Sequence, residues 1–203
     1  VLGCRFATSF RAVVDQGQLA EGQWLAVHGC GGVGLSAIMI GRALGARVIA
    51  VDIDHAKLEF ARTAGAEVSF HARETEDVIP AIREISDGGV HVSVDALGSP
   101  ETCFSSVSGL RKRGKHVQVG LLSPETGNAP VPTGLIVANE LEILGSHGIQ
   151  AHRYPAILKM ITEGVLKPEK LISRTVSLEE AASEIVRMDQ YSGSGISVVT
   201  DFS

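Results

Sequence analysis

The sequence predicts a doubly wound α/β fold with a parallel six-stranded sheet, and three observations predict it. Six strand-like runs alternate with helix-like runs between Leu25 and Gly145. The first run, Leu25 to His28, stops in the cluster Gly29-Cys-Gly-Gly-Val-Gly34 and restarts as a helical pattern. The second strand, Arg47 to Val51, ends in Asp52, about twenty residues past the middle glycine. Parallel neighbours need crossover connections, and the intervening helices supply them.

In chain order, residues 6–20 carry Phe6, Phe10, Val13, Val14 and Leu19 at helical spacing, and Gly22 breaks the chain before the first strand. Leu25 to His28 has the length of a buried strand, and Val33 to Leu44 keeps a helical apolar pattern until Gly45. Gly29, Gly31 and Gly34 fit G-x-G-x-x-G. The first glycine allows the tight turn, the second lets backbone approach a pyrophosphate, and the third lets helix pack on strand. The helix N-terminus offers N–H groups and a positive dipole end to that anion. Asp52 stands where a carboxylate accepts hydrogen bonds from ribose hydroxyls. Strand, glycines, helix, strand and acid in register predict dinucleotide binding.

Asp54 caps a helix bearing Leu58, Ala61 and Ala64, which Gly65 ends. Glu67 to Phe70 is a third strand, and Thr75 opens a helix with Ile79, Ile82 and Ile85. Val90 to Asp95 is the fourth strand; Ser99-Pro100 starts a helix carrying Phe104, Val107 and Leu110. His116 to Gly120 and Glu140 to Gly145 complete the six. Beyond Gly148 the rhythm changes. A helix over Pro155 to Glu163, a strand over Leu171 to Val176, a capping box at Ser177 and Glu180 before Ile185 and Val186, and a strand over Ile196 to Thr200 form either a second domain or one edge of the first.

Composition narrows the function classes. A hydrophobic content of 44% with 23 glycines and few aromatics suits a close-packed α/β core. A net charge of −5, with no basic cluster longer than Arg111-Lys-Arg113, argues against a nucleic-acid partner. No apolar run reaches the roughly 18 residues of a membrane span and no signal-peptide pattern is present, so no membrane partner and a cytoplasmic location are expected. Three cysteines without C-x-x-C make neither a disulfide framework nor a self-contained zinc cluster. Cys30 and Cys103 read as small residues tolerated in a turn and a helix. The seven histidines form no metal motif: Gly148 separates His147 from His152, and His71, His91 and His116 fall on different elements.

With these residues in place, the chain resembles the coenzyme-binding half of the medium-chain, zinc-type alcohol dehydrogenase superfamily. The likeness runs over nearly the whole chain. Leu2-Gly-Cys-Arg-Phe-Ala-Thr-Ser-Phe10 is similar to the segment whose cysteine is a ligand of the catalytic zinc, with Cys4 in that place and Thr8 where a threonine meets the nicotinamide. Lys57 falls where a lysine reaches the adenosine ribose. Val94-Asp-Ala-Leu-Gly-Ser-Pro-Glu-Thr102, with Leu97, resembles the adenine-side loop. Val119-Gly120-Leu121 resembles the strand end that meets the nicotinamide, and Leu144-Gly-Ser-His147 the last strand, whose Ser146 backbone would hold the carboxamide.

The resemblance implies a Rossmann domain over 9–148, preceded by the end of a catalytic domain at 1–8 and followed by a return segment of that domain at 149–203. It implies NAD held by Thr8, Gly29, Gly31, Gly32, Val33, Gly34, Asp52, Lys57, Leu97, Val119 and Ser146. It also implies zinc at Cys4, with the other zinc ligands lying before Val1. The chain starts there without an initiator Met, in structured-looking sequence, so a fragment inactive by itself is expected. The implied reaction is hydride transfer between NAD and an alcohol or aldehyde, in a homodimer or homotetramer. A 2′-phosphate about 4 Å from Asp52 would meet repulsion on the order of 4 kcal/mol per unit charge at an effective dielectric near 20, which favours NAD over NADP. One departure is Ser197, where many members carry an arginine that grips the pyrophosphate. Two other readings compete: a non-catalytic dinucleotide-binding and dimerisation module, and a zinc-free reductase of the same superfamily, which Cys4 fits poorly. A methyltransferase would share the glycine turn and acidic strand end but explains neither Thr8 nor the strand order.

Overall fold

Strand β1 (Trp24–His28) is buried at every position, as a central parallel strand covered on both faces must be. In the computed structural model, which describes residues 2–122, 129, 131–188 and 195–202, five further strands extend the sheet on either side. They are β2 (Arg47–Asp52), β3 (Val68–His71), β4 (Val90–Asp95), β5 (Leu110–Gln118) and β6 (Glu142–Gly145). The order is β3-β2-β1-β4-β5-β6, with all pairings parallel. This is the Rossmann-like doubly wound sheet that the alternation predicts.

Alternate side chains of β1 enter two cores. Leu25 and Val27 pack with Leu35 and Ile38 of α2 (Gly32–Ala43), Leu58 of α3 (His55–Ala64), and Phe6 and Phe10 of α1 (Cys4–Phe10). Trp24 and Ala26 face Ile82 of α4 (Val78–Ile85) and Val107 of α5 (Pro100–Ser108). Helices therefore lie on opposite faces on either side of the β1–β4 boundary, which opens a crevice at the carboxyl ends of these strands.

Several boundaries differ from the sequence reading. Residues 6–20 do not form one α-helix: α1 gives way to a π-helical stretch over Arg11–Gln16, and Gln18 ends it at φ 51°. Helix α4 starts after Asp77, whose carboxylate accepts from the Ile79 N–H, rather than at Thr75. Leu110 opens β5 instead of closing α5, because the chain leaves the helix at Gly109 and pairs Leu110 with Val90. Helix α6 (Thr133–Asn139) has no side-chain cap and no buried residue, so neither capping nor periodicity announces it.

The tail forms α7 (Tyr154–Thr162), β7 (Ile172–Ser177), α8 (Leu178–Met188) and β8 (Ile196–Asp201), with β7 and β8 paired in parallel as a separate two-stranded sheet. Ile157, Leu171 and Ile196 join the same buried cluster as α2. Arg153 donates to both carboxylate oxygens of Asp15, tying the start of α7 to the π-helical stretch. No described helix is long and apolar enough to cross a membrane.

Candidate functional site

The glycine turn at the end of β1 is shaped by three different constraints. Gly29 adopts φ +91°, open to glycine at little cost. A Cβ on Gly34 would lie 1.8 Å from the Gly29 carbonyl oxygen, so the helix can close on the turn only without a side chain there. A Cβ on Gly31 would meet nothing within 4 Å. Gly31 instead borders open space in front of α2, whose first N–H groups have no partner within the helix. Gly29 thus makes the turn and Gly34 the close helix–strand contact, while Gly31 borders open space.

Asp52 stands beside this opening. One of its carboxylate oxygens accepts from the Cys30 N–H at 2.6 Å, and the other from the N–H groups of Ile53 and Asp54 at 2.7 and 3.1 Å. The acid thereby locks the turn after β1 to the end of β2. Burial, and then the Asp52 charge, push the Cys30 thiol upward, and Lys57 opposes this weakly. Cys30 is an inert neutral thiol, as its reading as a small turn residue expects. Lys57 therefore lies within electrostatic reach of the turn.

Sequence reasoning missed Arg5. Its side chain crosses the start of α2 so closely that a Cβ on Gly32 would fall 2.5 Å from Arg5 Cδ and 3.1 Å from Nε. A cation is thus posted at the helix N-terminus, where an anion would sit. Thr8, one turn further along α1, is buried, with Oγ1 3.8 Å from Cys4 Sγ. Cys4 itself is exposed.

The loops after β4 and β5 close the crevice from the other side. Leu97 crosses the glycine turn, with its Cβ 3.1 Å from where a Gly29 Cβ would be. Gly98 and Gly120 pass so near each other that neither could carry a side chain without striking the other loop. Asp95, fully buried, organises this crossing. Its Oδ1 accepts from the Leu97 and Gly98 N–H groups, both at 2.9 Å, and its Oδ2 from Thr102 Oγ1 at 3.1 Å and Gln118 Nε2 at 3.0 Å. Its backbone carbonyl accepts from Val119 and Gly120.

A relay of buried hydrogen bonds runs behind Asp95. Ser93 and Ser106 are 2.7 Å apart, Ser106 Oγ lies 2.8 Å from His116 Nδ1, and His116 Nε2 lies 3.0 Å from Gln118 Oε1. The Gln118 amide donates onward to Asp95 and to the Gly120 carbonyl. Only one direction satisfies every member: Gln118 Oε1 must accept, so His116 Nε2 carries the proton, and Nδ1 accepts from Ser106. Burial lowers the His116 pKa, consistent with this neutral tautomer.

Ser146 lies just past β6, and its N–H donates to the Gln118 carbonyl at 2.9 Å. Its hydroxyl is buried without a partner. Ser197 donates to Glu184 at 3.2 Å.

His28, at the end of β1, is fully buried, and its Nε2 has no hydrogen-bond partner. Desolvation drives its pKa down to about 4, outweighing the opposing pull of Asp95. Because the unfolded chain takes this proton first, the contribution of His28 to stability is complete above about pH 6.5 and is lost as pH falls toward 4. Stability is expected to fall by up to about 3 kcal/mol over that window from this residue. His28→Leu should flatten the profile in urea unfolding between pH 7 and 4; an unchanged slope would remove His28 from this role.

A Rossmann-like, doubly wound α/β domain is the class that this fold defines. Comparison with known proteins gives the family: the profile described as "Zinc-binding dehydrogenase" matches residues 32–163, and the chain belongs to that family. An NAD-dependent alcohol dehydrogenase of Sulfurisphaera tokodaii is 33% identical over 202 residues, covering 98% of this chain and 56% of that protein. Sorbitol dehydrogenase of Bacillus subtilis is 30% identical, covering 90% and 51%. The crystal structure of benzyl alcohol dehydrogenase from Acinetobacter calcoaceticus superposes with a TM-score of 0.88 at 26% identity, covering 98% of this chain and 56% of that one. The chain spans about half the length of the curated relatives it matches, the half that holds the coenzyme.

Proposed function

We propose that this chain is the coenzyme-binding portion of an NAD-dependent oxidoreductase that moves hydride between nicotinamide and an alcohol or aldehyde. The observation that carries the reading is the pairing of an open, glycine-lined α2 N-terminus with the Asp52 carboxylate anchored beside it. The residues fit the coenzyme. The N–H groups of Gly31, Gly32, Val33 and Gly34 face the pyrophosphate, and Arg5 supplies the positive charge that Ser197 does not. Asp52 and Lys57 take the adenosine ribose, and Leu97 the adenine side. Thr8, Val119 and the Ser146 carbonyl orient the nicotinamide end. NAD, when bound, supplies or accepts the hydride.

Zinc is a different matter. A catalytic zinc takes three protein ligands and keeps one open position. Among the described residues, Cys4 belongs to no cluster of three potential ligands. The residues present do not make a zinc site at Cys4. The open edge at β6, with Ile143 exposed, supports pairing of two copies. It also supports the second reading, a dinucleotide-binding and dimerisation module without turnover.

A fluorescence titration with NADH and NADPH tests the proposal. NADH is expected to bind at least about tenfold more tightly, because the 2′-phosphate meets the Asp52 charge. Equal binding of the two, or no binding of either, would sink it. Turnover of alcohols or aldehydes by the same sample separates the catalytic reading from the module.

A further inference from the structure

The fold brings together three side chains that the sequence reading keeps apart. His55 is the first residue of α3 and His71 the last of β3. Glu74 lies in the turn that follows β3, with its N–H donating back to the His71 carbonyl at 3.1 Å. That turn folds Glu74 over His71. The two imidazoles stack, with ring centroids 4.3 Å apart and planes 20° from parallel. One nitrogen from each ring and one Glu74 carboxylate oxygen all lie within 4.8 Å of one another.

We propose that His55, His71 and Glu74 form a binding site for a divalent first-row transition metal ion, with zinc as its representative. The donor set is two imidazoles and a carboxylate, which suits zinc and its neighbours better than magnesium or calcium. The spacing fits as well. Tetrahedral zinc with bonds of about 2.1 Å places its ligand atoms roughly 3.4 Å apart. His55 Nε2 lies 2.8 Å from Glu74 Oε1 and His71 Nδ1 lies 3.7 Å from it, so the two distances bracket that separation; because each lone pair lies in its own ring plane, binding requires the exposed His55 ring to turn out of its stack on His71.

A second observation points to a ligand. His71 is mostly buried, at 13% side-chain exposure, yet its Nδ1 has no hydrogen-bond partner. A buried nitrogen without a partner loses the hydrogen bonds it would make in water, and a metal ion here would take its lone pair. His55 and Glu74 are exposed, at 71% and 60%, so the ion could enter from solvent and keep water in its fourth position. The site is separate from Cys4 and does not depend on the coenzyme reading. It does lie close behind that region, since His71 pairs with Asp52 in the sheet and the Ala72 N–H donates to the Asp52 carbonyl. A bound ion would tie the ends of β2 and β3 together.

The test is equilibrium dialysis of the whole chain against zinc, carried out in a Cys4→Ser background so that the exposed thiol does not contribute. One zinc per chain is expected. His55→Ala and Glu74→Gln should each weaken binding by at least about tenfold, and both sites are exposed enough for the fold to persist, which circular dichroism would verify. Loading with cobalt(II) should give visible absorption bands that disappear in the same two variants. Failure to bind zinc stoichiometrically, or binding that neither replacement weakens, would reduce the group to a stacked histidine pair beside a surface ion pair.

Discussion

Replacing Gly34 with alanine is expected to cost the chain about 4 kcal/mol of stability, whereas replacing Gly31 with alanine should leave the fold intact and weaken NADH binding at least about tenfold. Both glycines belong to one motif, yet their surroundings are opposite. A methyl at position 34 would drive into the Gly29 carbonyl, 1.8 Å from oxygen and 2.9 Å from carbon. Backbone cannot rotate aside as a flexible side chain can, so α2 must move off β1, and Leu35 and Ile38 would leave the core with it. At position 31 the backbone is extended, with φ −78°, and the added methyl enters open space. The proposed coenzyme site puts the pyrophosphate in that space, so the variant should unfold at the same urea concentration as the parent while losing at least about tenfold in NADH affinity. A Gly34→Ala protein as stable as the parent, or a Gly31→Ala protein that binds NADH as tightly as the parent, would contradict this division of roles.

The difference between these glycines was legible in the sequence because it is local. Turn, helix start and following acid lie within one βαβ unit, and the period of the strands and helices fixes their relative placement. The same logic located β4, the Ser99 capping box and the helix after Asp54, whose carboxylate accepts from Ala56 and Lys57. What the sequence hid depends on contacts between distant segments. Arg5 reaches the α2 N-terminus from a different helix, and nothing in its own neighbourhood marks that approach. Asp95 reads as the last residue of a strand, and its four donors come from the loop behind it, from α5 and from the neighbouring strand. His55, His71 and Glu74 come together only through the β2–β3 register and one tight turn. Leu110 was misplaced for a simpler reason: an apolar residue following Gly109 satisfies a helical and a strand pattern equally well, and only the pairing with Val90 decides between them.

Asp95→Ala is expected to be as damaging as the change at Gly34, through the loss of polar partners instead of a clash. Its two carboxylate oxygens accept from Leu97, Gly98, Thr102 and Gln118. Removing them leaves the Leu97 and Gly98 N–H groups and one Gln118 amide hydrogen without an acceptor, while Thr102 Oγ1 can turn to the Ser99 carbonyl. Each buried unpaired donor costs about 1–3 kcal/mol, and the exposed edge of the loop would recover part of that through water. A net loss of about 4 kcal/mol in urea unfolding is the expected result. The damage should also reach the crevice. Leu97 and Gly98 would no longer be pinned against the Gly29 turn and Gly120, and Gln118 would lose one of its two acceptors, so the loops after β4 and β5 would drift apart at the proposed coenzyme site. NADH affinity should therefore fall together with stability. Asp95→Asn separates the two effects of the side chain, its shape and its capacity to accept. The amide nitrogen must face one pair of donors, so two of the four bonds fail while the packing is kept, and an intermediate loss is expected. If Asn and Ala cost the same, neither the kept packing nor the two kept bonds hold the loops without the other two; if Asn costs nothing, the lost hydrogen bonds do not hold these loops in place.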